Sequence, residues 1–133
     1  MIASIAVVSI KELLAVLFPH LAGLGFDGVF RSGRSVRIHV RTGTVEAQCP
    51  ACGCPSRRVH SRYVRQLCDM AINGQETIIH LQVRRFFCHN ESCPKKTFAE
   101  QVPGLTSRYG RHSLALRDVL RAVALALAGR APA

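Results

Sequence analysis

Apolar and polar positions recur along this chain with two different periods, and the changes of period divide it into elements. Ser9-Ile10-Lys11-Glu12 has the form of a capping box, and Leu13, Leu14, Val16 and Leu17 then supply an apolar face that Pro19 ends. The spacing predicts a short helix that covers one side of the sheet to follow, with Gly23-Leu24-Gly25 as the connection. From Phe26 the period falls to two. Val29 and Arg31, then Val36, Ile38 and Val40 alternating with Arg37, His39 and Arg41, predict a hairpin turned at Ser32-Gly33-Arg34. A further β segment is expected over residues 76–87, where Ile79, Leu81, Val83 and Arg85 alternate with Ile78, His80, Gln82 and Arg84 behind the turn signal Asn73-Gly74. His39 and His80 fall on polar, outward positions of their respective strands. After Phe98 and the Pro103-Gly104 turn the helical period returns. Leu116, Leu120, Val123 and Leu127 share one side of a helix expected over about residues 108–128, with Thr106 or Ser107 as N-cap and Gly129 as exit. An apolar helix of this kind folds back on the β ribbon, dimerises, or has lost its continuation.

Two pairs of cysteines stand at the ends of these β segments: Cys49-Pro50-Ala51-Cys52, and Cys88 with Cys93. Four thiolates delivered as two tight couples on two distant turns suit one structural zinc ion in a closed tetrahedral shell. Pro50 stiffens the first turn and Gly53 lets it reverse. Disulfides are the alternative, but they belong to oxidising compartments, and the apolar start at residues 1–9 lacks the basic region of a signal peptide. Cys54, His60 and His89 lie close enough in sequence to replace a sulfur, although the four cysteines already complete the shell. Cys68 reads as a small buried hydrophobe.

With 133 residues the chain supports one small domain whose core is thin without a cross-link. Charge changes the picture more. Eighteen Lys and Arg against 8 Asp and Glu give a formal +10, and this excess points to a polyanionic partner, most simply nucleic acid. Arg57, Arg58, Arg62 and Arg65 follow the first cysteine pair with no acid among them and read as an electropositive loop. Arg84 and Arg85 precede the second pair, Lys95 and Lys96 follow it, and Arg108, Arg111, Arg117 and Arg121 come later. Clustered Arg beside a rigid metal knuckle suits phosphate contact, and Tyr63 can rest on a sugar or base. No stretch approaches the roughly 20 apolar residues of a membrane span. The acids form no cluster suited to two-metal catalysis, and His60 with Ser61 lacks a third orienting group, so the residues name no catalytic site.

Several strings in series resemble one family. They are Cys49-Pro50-Ala51-Cys52-Gly53, the run from Ser56 to Tyr63, Arg65-Gln66-Leu67-Cys68-Asp69, Val83-Arg84-Arg85-Phe86-Phe87-Cys88, and Cys93-Pro94 with Phe98-Ala99-Glu100. Together they are similar to the N-terminal zinc-binding region of bacterial transposases of the insertion sequence L-three family. The periods read above predict an α+β fold, a small antiparallel β zinc-ribbon module flanked by a short N-terminal helix and a C-terminal amphipathic helix, with a helical segment and connection at 1–28, the hairpin and zinc ribbon at 29–105, and the amphipathic helix at 106–133. The resemblance covers about residues 45–130 and implies that this last part is the start of a truncated helix-turn-helix region. It also implies one Zn2+ on Cys49, Cys52, Cys88 and Cys93, and double-stranded DNA at transposon ends as partner. Arg57, Arg58, Arg62, Arg65, Arg84, Arg85, Lys95 and Lys96 would face that DNA, in the bacterial cytoplasm at the nucleoid. The catalytic acidic domain of the family has no counterpart, so the chain is expected to be a truncated, non-enzymatic module. The alternative from another class is a zinc-scaffolded interaction module, joining a second copy or a full-length transposase through the C-terminal helix, or an inert remnant.

Overall fold

In the computed structural model, which describes residues 9–129, the capping box closes as its spacing predicts. The Ser9 hydroxyl accepts from the Glu12 amide at 3.1 Å, and the Glu12 carboxylate accepts from the Ser9 amide at 3.3 Å. Helix α1 (Ile10–Leu17) follows, then a 3₁₀ turn (Pro19–Leu21). The stripe that is buried is Leu14, Phe18 and Leu21, spaced four and three residues apart, while Val16 and Leu17 of the expected face stay exposed. The apolar start at residues 1–8, and Arg130 with the residues after it, lie outside the described residues.

The first hairpin, β1 (Gly25–Ser32) with β2 (Ser35–Arg41), reverses at Gly33, whose φ is +60°. Two short strands, β3 (Ala47–Gln48) and β4 (Pro55–Ser56), pair with each other around the first cysteine turn. Two long strands, β5 (Val59–Ile72) and β6 (Gln75–Phe87), then form an antiparallel ribbon. Asn73 and Gly74 join them, both at positive φ (48° and 71°), which is the backbone a tight two-residue hairpin turn requires. Strand β7 (Thr97–Ala99) and helix α2 (Leu114–Ala128) complete the chain.

β6 is the central strand. Along one edge it pairs with β5; along the other it pairs first with β2 and then, beyond Gln82, with β7. The β2–β6 pairing is parallel, whereas the other strand pairings of this sheet among the described residues are antiparallel. The β6 alternation read from sequence divides as expected. Ile79, Leu81 and Val83 are fully buried with Ile38, Val40, Leu67 and Leu105 beneath α1, and His80 and Gln82 lie on the opposite face. There His39 and His80 stack with ring centroids 4.5 Å apart, and the Arg37 guanidinium reaches His80 at 3.2 Å.

Three expectations are corrected. Most of residues 57–65 form no loop but the first half of β5, and they escaped a period-of-two reading because Arg58, His60 and Arg62 alternate with residues that are not themselves buried. Helix α2 begins at Leu114, capped by Ser113, whose hydroxyl accepts from the Leu116 amide at 3.2 Å. Thr106 and Ser107 are used elsewhere: Thr106 Oγ1 accepts from the Val102 amide at 2.9 Å, and the Ser107 carbonyl accepts from Arg65 at 2.8 Å. Cys68, read as buried, is only half-buried on β5. Helix α2 buries none of its residues, and Leu120, Val123 and Leu127 are exposed.

Besides backbone bonds from Ser113 to Cys68 and from Leu114 to Leu105, one buried carboxylate ties both α2 and the 3₁₀ turn to the sheet. Asp69 on β5, its side chain 1% exposed, bonds His20 Nε2 at 2.6 Å and accepts from Ser113 Oγ at 2.7 Å. Burial works to raise its pKa, but the bonds from His20, Ser113 and the Met70 amide outweigh burial and hold the carboxyl below the ordinary carboxylate range. A depressed folded pKa adds stability that is complete above the unfolded value, about pH 4, and is lost as pH falls through the lower folded value. Denaturant melts should therefore show Asp69→Asn less stable at pH 7 by about 1–3 kcal/mol and less sensitive to acid below about pH 4 than the parent chain. Parallel acid profiles would exclude Asp69 as the source.

Candidate metal centre and its basic surroundings

Each cysteine pair sits on a turn fixed by its own backbone bonds. In the first, the Cys49 amide donates to the Cys54 carbonyl at 3.0 Å and the Gly53 amide to the Cys49 carbonyl at 2.8 Å. Gly53 takes φ +74°, a left-handed backbone that glycine adopts without steric cost. In the second, the Cys93 amide donates to the Asn90 carbonyl at 3.0 Å, and the Asn90 side chain accepts from the Ser92 amide at 3.1 Å. Strand β6 carries Cys88 to the site directly after Phe87, and a bond from the Cys88 amide to the Lys96 carbonyl at 2.8 Å closes the second turn.

The four sulfurs of Cys49, Cys52, Cys88 and Cys93 all lie within 4.8 Å of one another. Cys49 and Cys93 are 3.9 Å apart and Cys52 and Cys88 3.6 Å. A tetrahedron with Zn–S bonds of about 2.3 Å has edges of about 3.8 Å, so this set has the size of a zinc–thiolate shell, whereas a disulfide needs about 2.05 Å. The floor is apolar: Phe86 and Phe98 are buried and stacked at 5.8 Å beneath Cys49.

Electrostatics of the cluster point the same way. The Cys54 amide, aided by Asn90, Cys88 and Cys49, overcomes burial and brings the Cys52 thiol down to about 6. At Cys88 the Asn90 amide works downward, yet burial and the sulfurs of Cys52, Cys49 and Cys93 outweigh it and push the thiol up to about 12. One thiolate forms readily and its neighbours resist, the pattern of like charges crowded into an apolar pocket. A divalent cation resolves it by replacing the remaining protons.

The other candidate donors stay outside the set. The Cys54 thiol is raised, chiefly by its bond to Cys52. His60 bonds Ser61 at 2.9 Å and stands edge-on to Phe87, and His89 is exposed.

The basic residues divide by what already holds them. Arg57, Arg58, Arg62 and Lys96 are exposed; Arg57 meets Glu46 at 3.4 Å, and the Arg58 guanidinium lies over the Phe87 ring at 4.8 Å. Arg84 is turned inward. Its guanidinium grips both oxygens of the buried Glu100 at 3.0 Å, with a further bond to Thr44 at 2.9 Å. Arg65 is likewise committed, donating to Gln101 at 3.1 Å and to the carbonyls of Ser107 and Gly110 at 2.8 Å each. Arg85 bonds Thr97 at 3.0 Å and, with Lys95, borders a concavity of about 500 Å³ beside the first knuckle. Tyr63, Phe98, Arg108 and Tyr109 also line it, as does the committed Arg65. Sequence reasoning missed Tyr109; the signal was a second Ser-Arg-Tyr triplet, Ser107-Arg108-Tyr109, echoing Ser61-Arg62-Tyr63.

Residues 46–93 match the family model of the zinc-finger of transposase IS204/IS1001/IS1096/IS1165. The match spans both cysteine turns and all four sulfurs. No curated protein and no solved structure matches the chain. This segment is similar to a transposase zinc-finger, and its sulfurs fit one structural zinc ion.

Metal analysis of the purified protein should give one zinc per chain, and the Cys88→Ser variant should retain little. Stripping the ion with a strong chelator should lower the melting temperature by more than about 10 °C, because binding free energy of structural zinc is folding free energy. An unchanged melt after exhaustive chelation is the result that would exclude a structural role.

Proposed function

We propose that this chain is the DNA-binding zinc module of a transposase, which contacts the duplex at transposon ends and leaves strand cleavage to another part of the machinery. The observation that carries the reading is the placement of Arg57, Arg58, Arg62 and Lys96: exposed, and anchored next to cysteine turns that a metal ion makes rigid. A rigid cationic rim loses little entropy on meeting phosphates, and phosphate contacts dominate affinity for DNA. The formal charge of +10 supports long-range attraction to the same partner. Arg65 and Arg84, with their donors spent inside the protein, serve the fold and leave phosphate contact to the exposed set. Action at the bacterial nucleoid follows from this reading.

No helix among the described residues is long and apolar enough to cross a membrane. One further feature favours an additional role in assembly: Leu120, Val123 and Leu127 form an exposed apolar side on α2. The two readings separate cleanly. Duplex affinity, followed by anisotropy, should fall with salt with a log–log slope of about −0.9 per phosphate neutralised. Arg58→Glu with Arg62→Glu should weaken duplex binding by more than about tenfold and flatten that slope by about two, leaving oligomer size unchanged. If Leu120→Asp with Leu127→Asp abolished duplex binding while the arginine variant did not, assembly rather than phosphate contact would be the primary role.

A further inference from the structure

The concavity beside the zinc site has no part in the duplex contact proposed above, yet it has the composition of a ligand site. Its volume of about 500 Å³ falls within the range of about 300–1,000 Å³ of small-molecule sites. Arg85, Lys95 and Arg108 line it and no acidic residue does. The chain has two tyrosines in all, each ending a Ser-Arg-Tyr triplet, and both line this one concavity although they are far apart in sequence.

Tyr109 stands out physically. It is 85% exposed and takes φ +59°, a left-handed backbone uncommon for a bulky side chain. The surrounding structure enforces that geometry. Arg65 grips the carbonyls on either side, of Ser107 and Gly110, the Gly110 amide closes back on Ser107 at 3.0 Å, and a Cβ at Gly110 would collide with the Ser107 hydroxyl. The Arg108 guanidinium then lies over the Tyr109 ring at 4.9 Å and donates to its hydroxyl at 3.1 Å. The Arg108 bond and charge, with Lys95 and Arg85, lower the phenol's pKa, a sign that the three cations converge on one place. Such a residue gains nothing for the core; it is held in readiness at the surface.

Aromatic rings beside converging cations match a ligand with a flat π face and an attached anion. Bases inside a duplex are stacked away from such a pocket, whereas an unpaired base presents its face freely. We propose that the concavity takes one unpaired nucleotide of the bound DNA, its base against Tyr109 and Tyr63 and its phosphate among Arg85, Lys95 and Arg108. This rests on the DNA-binding reading above and adds to it that the module distinguishes an open or frayed DNA end from a closed one.

The test uses the zinc-loaded full chain with two probes, a blunt duplex and the same duplex carrying a short unpaired thymidine tail. The tail should raise affinity about tenfold, the scale of one base stacked on an aromatic side chain. Tyr109→Ala, a change at an exposed position, should remove that gain and leave blunt-duplex affinity within about twofold; Tyr63→Phe, which keeps the ring, should preserve it. Because the chain has no tryptophan, its intrinsic tyrosine fluorescence reports on this pocket alone and should be quenched by the tailed probe and not by the blunt one. Equal binding and equal fluorescence with the two probes would overturn the pocket while leaving duplex binding in place. A Tyr109→Ala variant that keeps the full gain would also overturn it. Failure of the parent chain to bind either probe would overturn both readings together.

Discussion

The gathering of four sulfurs at the far end of the β5–β6 ribbon is the constraint on which the other features depend. The ribbon projects beyond the main core, and there its packing reduces to Phe86, Phe98 and the partly buried Val59 and Ala47 around Cys49. So small an apolar cluster cannot hold two turns in register against the entropy of the chain. A metal ion can, because each bond to a thiolate replaces proton and water at a site already positioned by backbone hydrogen bonds. The exposed arginines and the concavity both inherit their rigidity from that junction: Phe98 belongs to the metal-side cluster and also lines the concavity.

A second organising theme is the division of labour among like residues. Cations of one type, close in sequence, do opposite jobs according to whether an internal acceptor lies within reach. Arg62 and Arg84 are cross-strand partners, but Glu100 reaches only the latter. Glu100 is 5% exposed, and a buried carboxylate without its guanidinium would be strongly unfavourable. Arg65 is equally committed, since three bonds from one guanidinium hold the turn at residues 107–110 against β5. Net charge therefore overstates the surface available to a polyanion, and the exposed rim is smaller than the sequence count suggests.

Features set by local chemistry could be read directly from the residues. Ser9 and Glu12 announce their capping box, Asn73-Gly74 its turn, and the paired cysteines their common ion, because each depends on neighbours in sequence or on the spacing of chemically unmistakable groups. Features set by distant contacts could not. Strand β5 has no buried residue over its outer half, where Val59, Tyr63 and Val64 fall out of any period-of-two apolar pattern, so no alternation betrays it. The start of α2 at Ser113 depends on Asp69, and the roles of Arg65 and Arg84 depend on Gln101, Glu100 and the carbonyls of a turn more than forty residues away from Arg65. The parallel neighbourhood of β2 and β6 has no sequence signature at all.

That parallel pairing also governs the order in which the molecule can assemble. Ser35 and Glu76 are 41 residues apart, so bringing β2 to β6 in a bare chain means closing a long loop before any contact rewards it. The ribbon β5–β6 closes through a two-residue turn and faces no such delay. Once the ion joins the turn just downstream of β2 to the one at the tip of β6, the long search shrinks to the short stretches flanking the sulfurs. A bound ion would then shorten further a loop that the β5–β6 hairpin has already reduced by setting Val59 beside Phe86, and would tie the register of β2 on β6 to the occupancy of the sulfurs.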